Sequence, residues 1–176
     1  MRRSTVLVAL ILAALAAAPV AVAATFVAGD SDPHPSATTD GSKVIIVNGR
    51  GTGKVDGSSE PGRTKFEVPL YDVATGEEVG RSTHNFICNG PGYCEDIDTY
   101  YIGDSSLRTK ALVSAQPDTQ RGPGHFVVGT HPALAPLDGT GIFAGKTGTV
   151  RVSGFADGSK MPQEFTLDEI YVITYK

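Results

Sequence analysis

The chain has 176 residues, 15 basic against 19 acidic side chains for a formal net charge of −4, and only two cysteines. That length suits one ordinary domain. A mildly acidic chain with no basic patch argues against nucleic acid or an anionic membrane as a partner.

The first stretch, "MRRSTVLVALILAALAAAPVAVAA", sets Arg2 and Arg3 before an apolar run from Val6 to Val20 and a small-residue site at Ala21-Val22-Ala23. This is the layout of a secretory signal peptide. The apolar run is just long enough to span a bilayer, but no charged stop-transfer segment follows it, so cleavage after Ala23 is expected over a retained anchor. The arginine pair leaves Sec and twin-arginine export both open. Residues 1–23 are therefore read as leader and 24–42 as a flexible tether rich in Pro, Ser, Thr and Asp, with His34 solvated within it. Residues 43–176 form the folded domain. The expected location is extracellular or in the cell envelope, with no membrane attachment once the leader is gone.

From Lys43 onward the pattern is that of strands. "KVIIVNG" is β-branched, and "TKFEVPLYD" alternates Phe66, Val68 and Leu70 against Lys65, Glu67 and Tyr71. "EEVGRSTHNFIC" and "CEDIDTYYIG" follow across the turn residues Asn89 to Tyr93. Then come "SLRTKALVSAQ", "HFVVGTH", "TGTVRVSGF" and "QEFTLDEIYVITY", each bounded by Gly, Pro, Asp or Ser. No window outside the leader repeats its apolar residues every three to four positions. Eight strands in sequence predict an all-β, eight-stranded antiparallel up-and-down barrel, with a stacked sandwich as the alternative. Closure removes the exposed edges that make sheet proteins aggregate.

Cys88 and Cys94 favour a disulfide, because an even count outside the reducing cytosol pairs more readily than it persists as thiols. If they oppose each other across a five-residue turn, His84 falls opposite Asp98, Phe86 opposite Asp96 and Ser82 opposite Tyr100, all on one strand face.

The glycine-rich stretch "GTGIFAGKTG", Gly139 to Gly148, invites a nucleotide reading. It fails the P-loop spacing, since Thr140 stands where the first glycine is required. Gly139, Gly141 and Ala144 fit the dinucleotide fingerprint, but a strand follows where that mechanism requires a helix N-terminus. These glycines answer a backbone need instead, with Phe143 as an anchor turned into the barrel end and the segment shaping the barrel mouth. No phosphate cofactor is expected.

The same segment, "DGTGIFAGKTGTVRVSG", resembles the glycine-rich segment of the allene oxide cyclase and dirigent barrels. Gly139, Gly141, Phe143, Gly145, Gly148, Val150 and Arg151 fill its pattern. "EVPLYDVATGEEVG" and the "YIGD" turn at Tyr101 to Asp104 add weaker likeness over residues 43–176. The resemblance implies a mostly apolar lumen that holds a small hydrophobic molecule, no cofactor, and assembly as a homodimer or homotrimer. It also implies that Cys88 lies where those cyclases carry a lumenal cysteine, which turns His84, Phe86, Asp98 and Tyr100 inward. His84 and Asp98 then form a candidate catalytic pair, the imidazole a general base and the carboxylate its orienter. A solvated ion pair is the plainer reading.

Asn48 and Pro69 join Phe86, Tyr100 and Phe143 as candidate lumen residues, and Tyr101, Tyr171 and Tyr175 could line the same cavity. The chain departs from the plant cyclases in lacking their first-strand glutamate, where Asn48 is the nearest polar residue, so allene oxide cyclisation itself is not implied. His125 and His131 share a strand face, but without an evident carboxylate partner no metal is expected. The functional expectation is an exported, cofactor-independent cyclase or isomerase. A dirigent-like auxiliary or a lipocalin-like carrier is the alternative.

Overall fold

The computed structural model describes residues 35–57, 62–89, 92–130 and 138–176. The leader, His34 and His131 lie outside the described residues. Eight long strands carry the fold: β1 (Lys43–Lys54), β2 (Thr64–Asp72), β3 (Glu78–Cys88), β4 (Gly92–Ile102), β5 (Ser105–Pro117), β6 (His125–Thr130), β7 (Gly148–Asp157) and β8 (Glu164–Tyr175). Each pairs antiparallel with its neighbours in chain order, and β1 closes the circle by pairing with both β8 and β2. The fold is the closed eight-stranded antiparallel barrel that the strand count predicts. At the seam, β1 meets β8 along its whole length but β2 only from Val47 to Gly49. Within the stretch read as tether, Ser36–Ala37 forms a short strand against β1.

Alternation decides what enters the barrel. Val47, Gly49 and Gly53 of β1 face inward, as do Phe66, Val68 and Leu70 of β2. On β8 the inward set is Leu167, Glu169, Tyr171, Ile173 and Tyr175. Burial divides the lumen into two halves. One half is solid, with Ile45, Leu70, Tyr100, Ile102, Leu107 and Ile173 among the side chains packed in a single cluster. The other half is walled by Phe66, Val68, Val113, Val128, Ala156 and Leu167.

The glycine-rich segment seals the solid half, and the expectation that it shapes a mouth is corrected. Strands of an up-and-down barrel alternate direction, so the β6–β7 connection shares an end with the β2–β3 and β4–β5 turns. The disulfide hairpin lies at the other end. Within the segment, a short 3₁₀ turn, Gly141–Phe143, inserts Phe143 fully into the core, where its ring meets Tyr175 edge-on at 5.1 Å. Gly141 adopts a left-handed φ of 59°, and a Cβ on Gly139 would stand 2.7 Å from that of Phe143. Glycine is required at both positions by the close approach of the plug to β5. Among the described residues no helix is long and apolar enough to cross a membrane.

Candidate functional site

The β3–β4 hairpin builds the site. Cys88 and Cys94 are joined as the disulfide expected from their count, and they are opposed residues. Counting back along both strands sets Phe86 opposite Asp96, His84 opposite Asp98 and Ser82 opposite Tyr100. The structure turns this face into the lumen, with His84 2 % exposed.

His84 is the hub. Its Nδ1 lies 2.9 Å from Asp98 Oδ1 and 3.6 Å from Asp96 Oδ2. Its Nε2 lies 2.9 Å from Ser82 Oγ and 3.4 Å from Tyr171 Oη. The ring stacks on Phe66 with centroids 4.8 Å apart. Tyr171 donates to Glu169 Oε2 at 2.6 Å, and Tyr100 donates to Asp98 Oδ2 at 3.0 Å. A continuous polar chain thus runs from Glu169 through Tyr171 and His84 to Asp98 and Tyr100.

Gly49 makes room for this chain. A Cβ there would stand 2.6 Å from the Tyr171 ring, so only glycine lets the tyrosine lie across β1.

Burial and mutual charge set the protonation of the cluster. Loss of water around His84 disfavours its charged form, but Asp98 and then Asp96 outweigh that and raise its pKa well above the usual imidazole value. Asp96 is pushed up to about 7, chiefly by burial and then by the neighbouring Asp98, against the pull of His84. Burial likewise pushes Glu169 up to about 7, although His84 and the Tyr171 hydrogen bond pull the other way. Tyr100 and Tyr171 are raised by burial and stay protonated. The floor therefore holds a charged imidazole beside two carboxyls that exchange protons near neutral pH.

Above this floor the open half of the barrel encloses a cavity of about 540 Å³. Its wall is apolar, formed by Phe66, Phe86, Phe126, Val128, Ala156 and Phe165 among others, and its rim includes the disulfide, Gln116 and Met161. His84, Asp96, Asp98, Glu169 and Tyr171 reach it from below.

The residues expected to line a lumen divide accordingly. Phe86 lines the cavity, while Tyr100 lies beneath it and holds Asp98. Phe143 belongs to the plug and does not touch the cavity. Asn48 and Pro69 stand on the outer face, because Val47 and Gly49, and Val68 and Leu70, take the inward positions on either side of them. Asn48 donates to Asp168 Oδ1 and the Glu169 carbonyl, and it borders a surface hollow of about 300 Å³. Tyr175 packs inside, whereas Tyr101 lies outside beneath the Arg81 guanidinium.

Three site residues escaped the sequence reading: Asp96, Glu169 and Tyr171 in its role as donor. Glu169 had a signal, since it is the one charged residue on the otherwise apolar face of Leu167, Tyr171, Ile173 and Tyr175. His84, Asp96 and Asp98 also offer one ligand atom each, all within 4.8 Å of one another, a grouping that a divalent cation could use. A cation there must displace the proton that His84 carries. His125, at which no metal was expected, sits 3.5 Å from Asp157 near the barrel rim.

Fold and site together define a one-ended barrel: a sealed core below, an apolar cup above, and a proton-exchanging floor between them. Comparisons with protein-family models and with curated proteins find no match. Among solved structures the chain is similar to one titled pyocyanin demethylase, with 17 % identity and a TM-score of 0.41 over 76 % of this chain and 99 % of that one.

Proposed function

We propose that this protein is an exported barrel that holds a small hydrophobic molecule in the open half of its lumen and moves a proton on it without a cofactor. The net reaction is an isomerisation or cyclisation. One observation carries the reading: an apolar cavity of about 540 Å³ ends on a floor where a charged imidazole and two near-neutral carboxyls meet.

Asp96 and Glu169 act as acceptors, since a carboxyl that titrates near ambient pH combines availability with basicity. His84, held cationic by Asp98, returns a proton to a second atom of the ligand or stabilises negative charge that develops there. One proton leaves the ligand and one arrives, so no oxidant or reductant is needed. These roles differ from the general base suggested for His84, because a ring locked against two carboxylates has no free lone pair to offer. The apolar wall supplies the rest by folding a flexible substrate toward its reactive shape and excluding water.

The signal-like leader and the Cys88–Cys94 disulfide support action in an oxidising compartment. The glycine-segment resemblance supports placing the chain among the allene oxide cyclase and dirigent-like barrels.

Native mass spectrometry of the exported protein tests the reading by revealing a copurifying small molecule. With that molecule in hand, His84→Ala and Asp98→Ala should lower turnover about 100-fold or more while leaving its affinity within a few-fold. Unchanged turnover in both variants would remove this pair from the chemistry, and binding with no turnover by the native protein would make the barrel a carrier.

A further inference from the structure

The floor of the cavity is rich in acceptors and poor in donors. Asp96, Asp98 and Glu169 reach it, and His84 is the one basic side chain among the described residues that line it. His84 is already engaged by Asp98. Asp96 Oδ1 is buried with no hydrogen-bond partner among the described residues. Glu169 is 5 % exposed, and its carboxylate accepts a hydrogen bond from Tyr171 at Oε2. A buried carboxylate oxygen without a donor, such as Asp96 Oδ1, is costly, and folded proteins rarely leave one so unless something else completes it. Around the same spot Phe66, Phe86 and Phe165 pack edge-on and tilted, with centroids 5.0 to 5.9 Å apart. Aromatic faces of this kind attract cations.

Building on the ligand-cavity reading, we propose that the molecule this lumen accepts carries a basic nitrogen, bound as a cation whose N–H groups donate to Asp96 Oδ1 and to the neighbouring Glu169 carboxylate. Its apolar body lies against the three phenylalanines. A ketone can only accept and leaves Asp96 Oδ1 unpaired, while an alcohol offers that oxygen a single uncharged donor, weaker than a cationic N–H. A carboxylate would add another negative charge beside the carboxyls of Asp96, Asp98 and Glu169 and is disfavoured by repulsion.

The test is competition in the full chain, with EDTA present to remove metal ions. Nile red is displaced from the cavity by naphthylmethylamine or by its neutral isostere naphthylmethanol, near pH 8. The amine should compete about tenfold better, and that preference should shrink to about threefold or less in Asp96→Asn. If Nile red binds but the alcohol competes as well as the amine, or the amine does not compete, the basic-nitrogen inference is overturned and the cavity reading stands. If Nile red itself is not held, both fall together.

Discussion

Replacing Glu169 with glutamine should make the protein more stable, but only at neutral and alkaline pH. The carboxyl titrates near 4.5 in an unfolded chain and near 7 in the barrel. Between those values the native state holds a proton that the unfolded state has lost, so stability falls as pH rises. The full penalty applies above 7 and vanishes below the unfolded value. A shift of this size corresponds to about 3 kcal/mol. Glutamine does not ionise, and its carbonyl can still accept from Tyr171, so Glu169→Gln should recover most of that amount near pH 8 and almost none near pH 4. For a chain of this length the gain appears as a melting temperature higher by about 6–12 °C. Thermal melts of both proteins at the two pH values measure it. A shift of equal size at both, or a loss that grows with pH, would refute the assignment of Glu169 as a buried, strained carboxyl.

Phe143→Ala should cost about 3–5 kcal/mol in chemical denaturation, since it empties the centre of the sealed half. Dye binding in the open half should survive, and its loss would show that the two halves are not independent. Gly49→Ala should destabilise the fold by about 1–3 kcal/mol by pushing the Tyr171 ring from its place. The displaced hydroxyl should also leave Glu169, which infrared difference spectra of the carboxyl region would report as a changed carboxyl band. An unaltered band would mean that Tyr171 moves as a unit with Glu169.

Much of the barrel was legible because its strands alternate cleanly and its turns are marked by Gly, Pro and Asp. The spacing of Cys88 and Cys94 sets the hairpin register and with it places His84 across from Asp98. The inward face was harder to choose. In "STHNFIC" both faces mix polar and apolar residues, so alternation alone does not distinguish the His84 face from that of Thr83, Asn85 and Ile87. Asn48 misled because its true inward neighbours, Val47 and Gly49, carry little or no polar surface, and a glycine leaves no side chain to read. Glu169 was hidden beside Asp168, where two adjacent acids suggest a solvated pair until their opposite parity is counted. The end of the barrel sealed by Phe143 was available from strand counting, but the glycine motif drew attention to a mouth.

The central claim is that the open half of the lumen is a binding site. Saturation of Nile red fluorescence by the native protein and by Ala156→Phe tests it most directly, because Ala156 lines the cavity and the larger side chain projects into empty space. The account predicts one saturable site in the native protein and at least about a tenfold loss of affinity in the variant, with both folded. Equal binding by the two proteins would place the dye elsewhere and contradict the account.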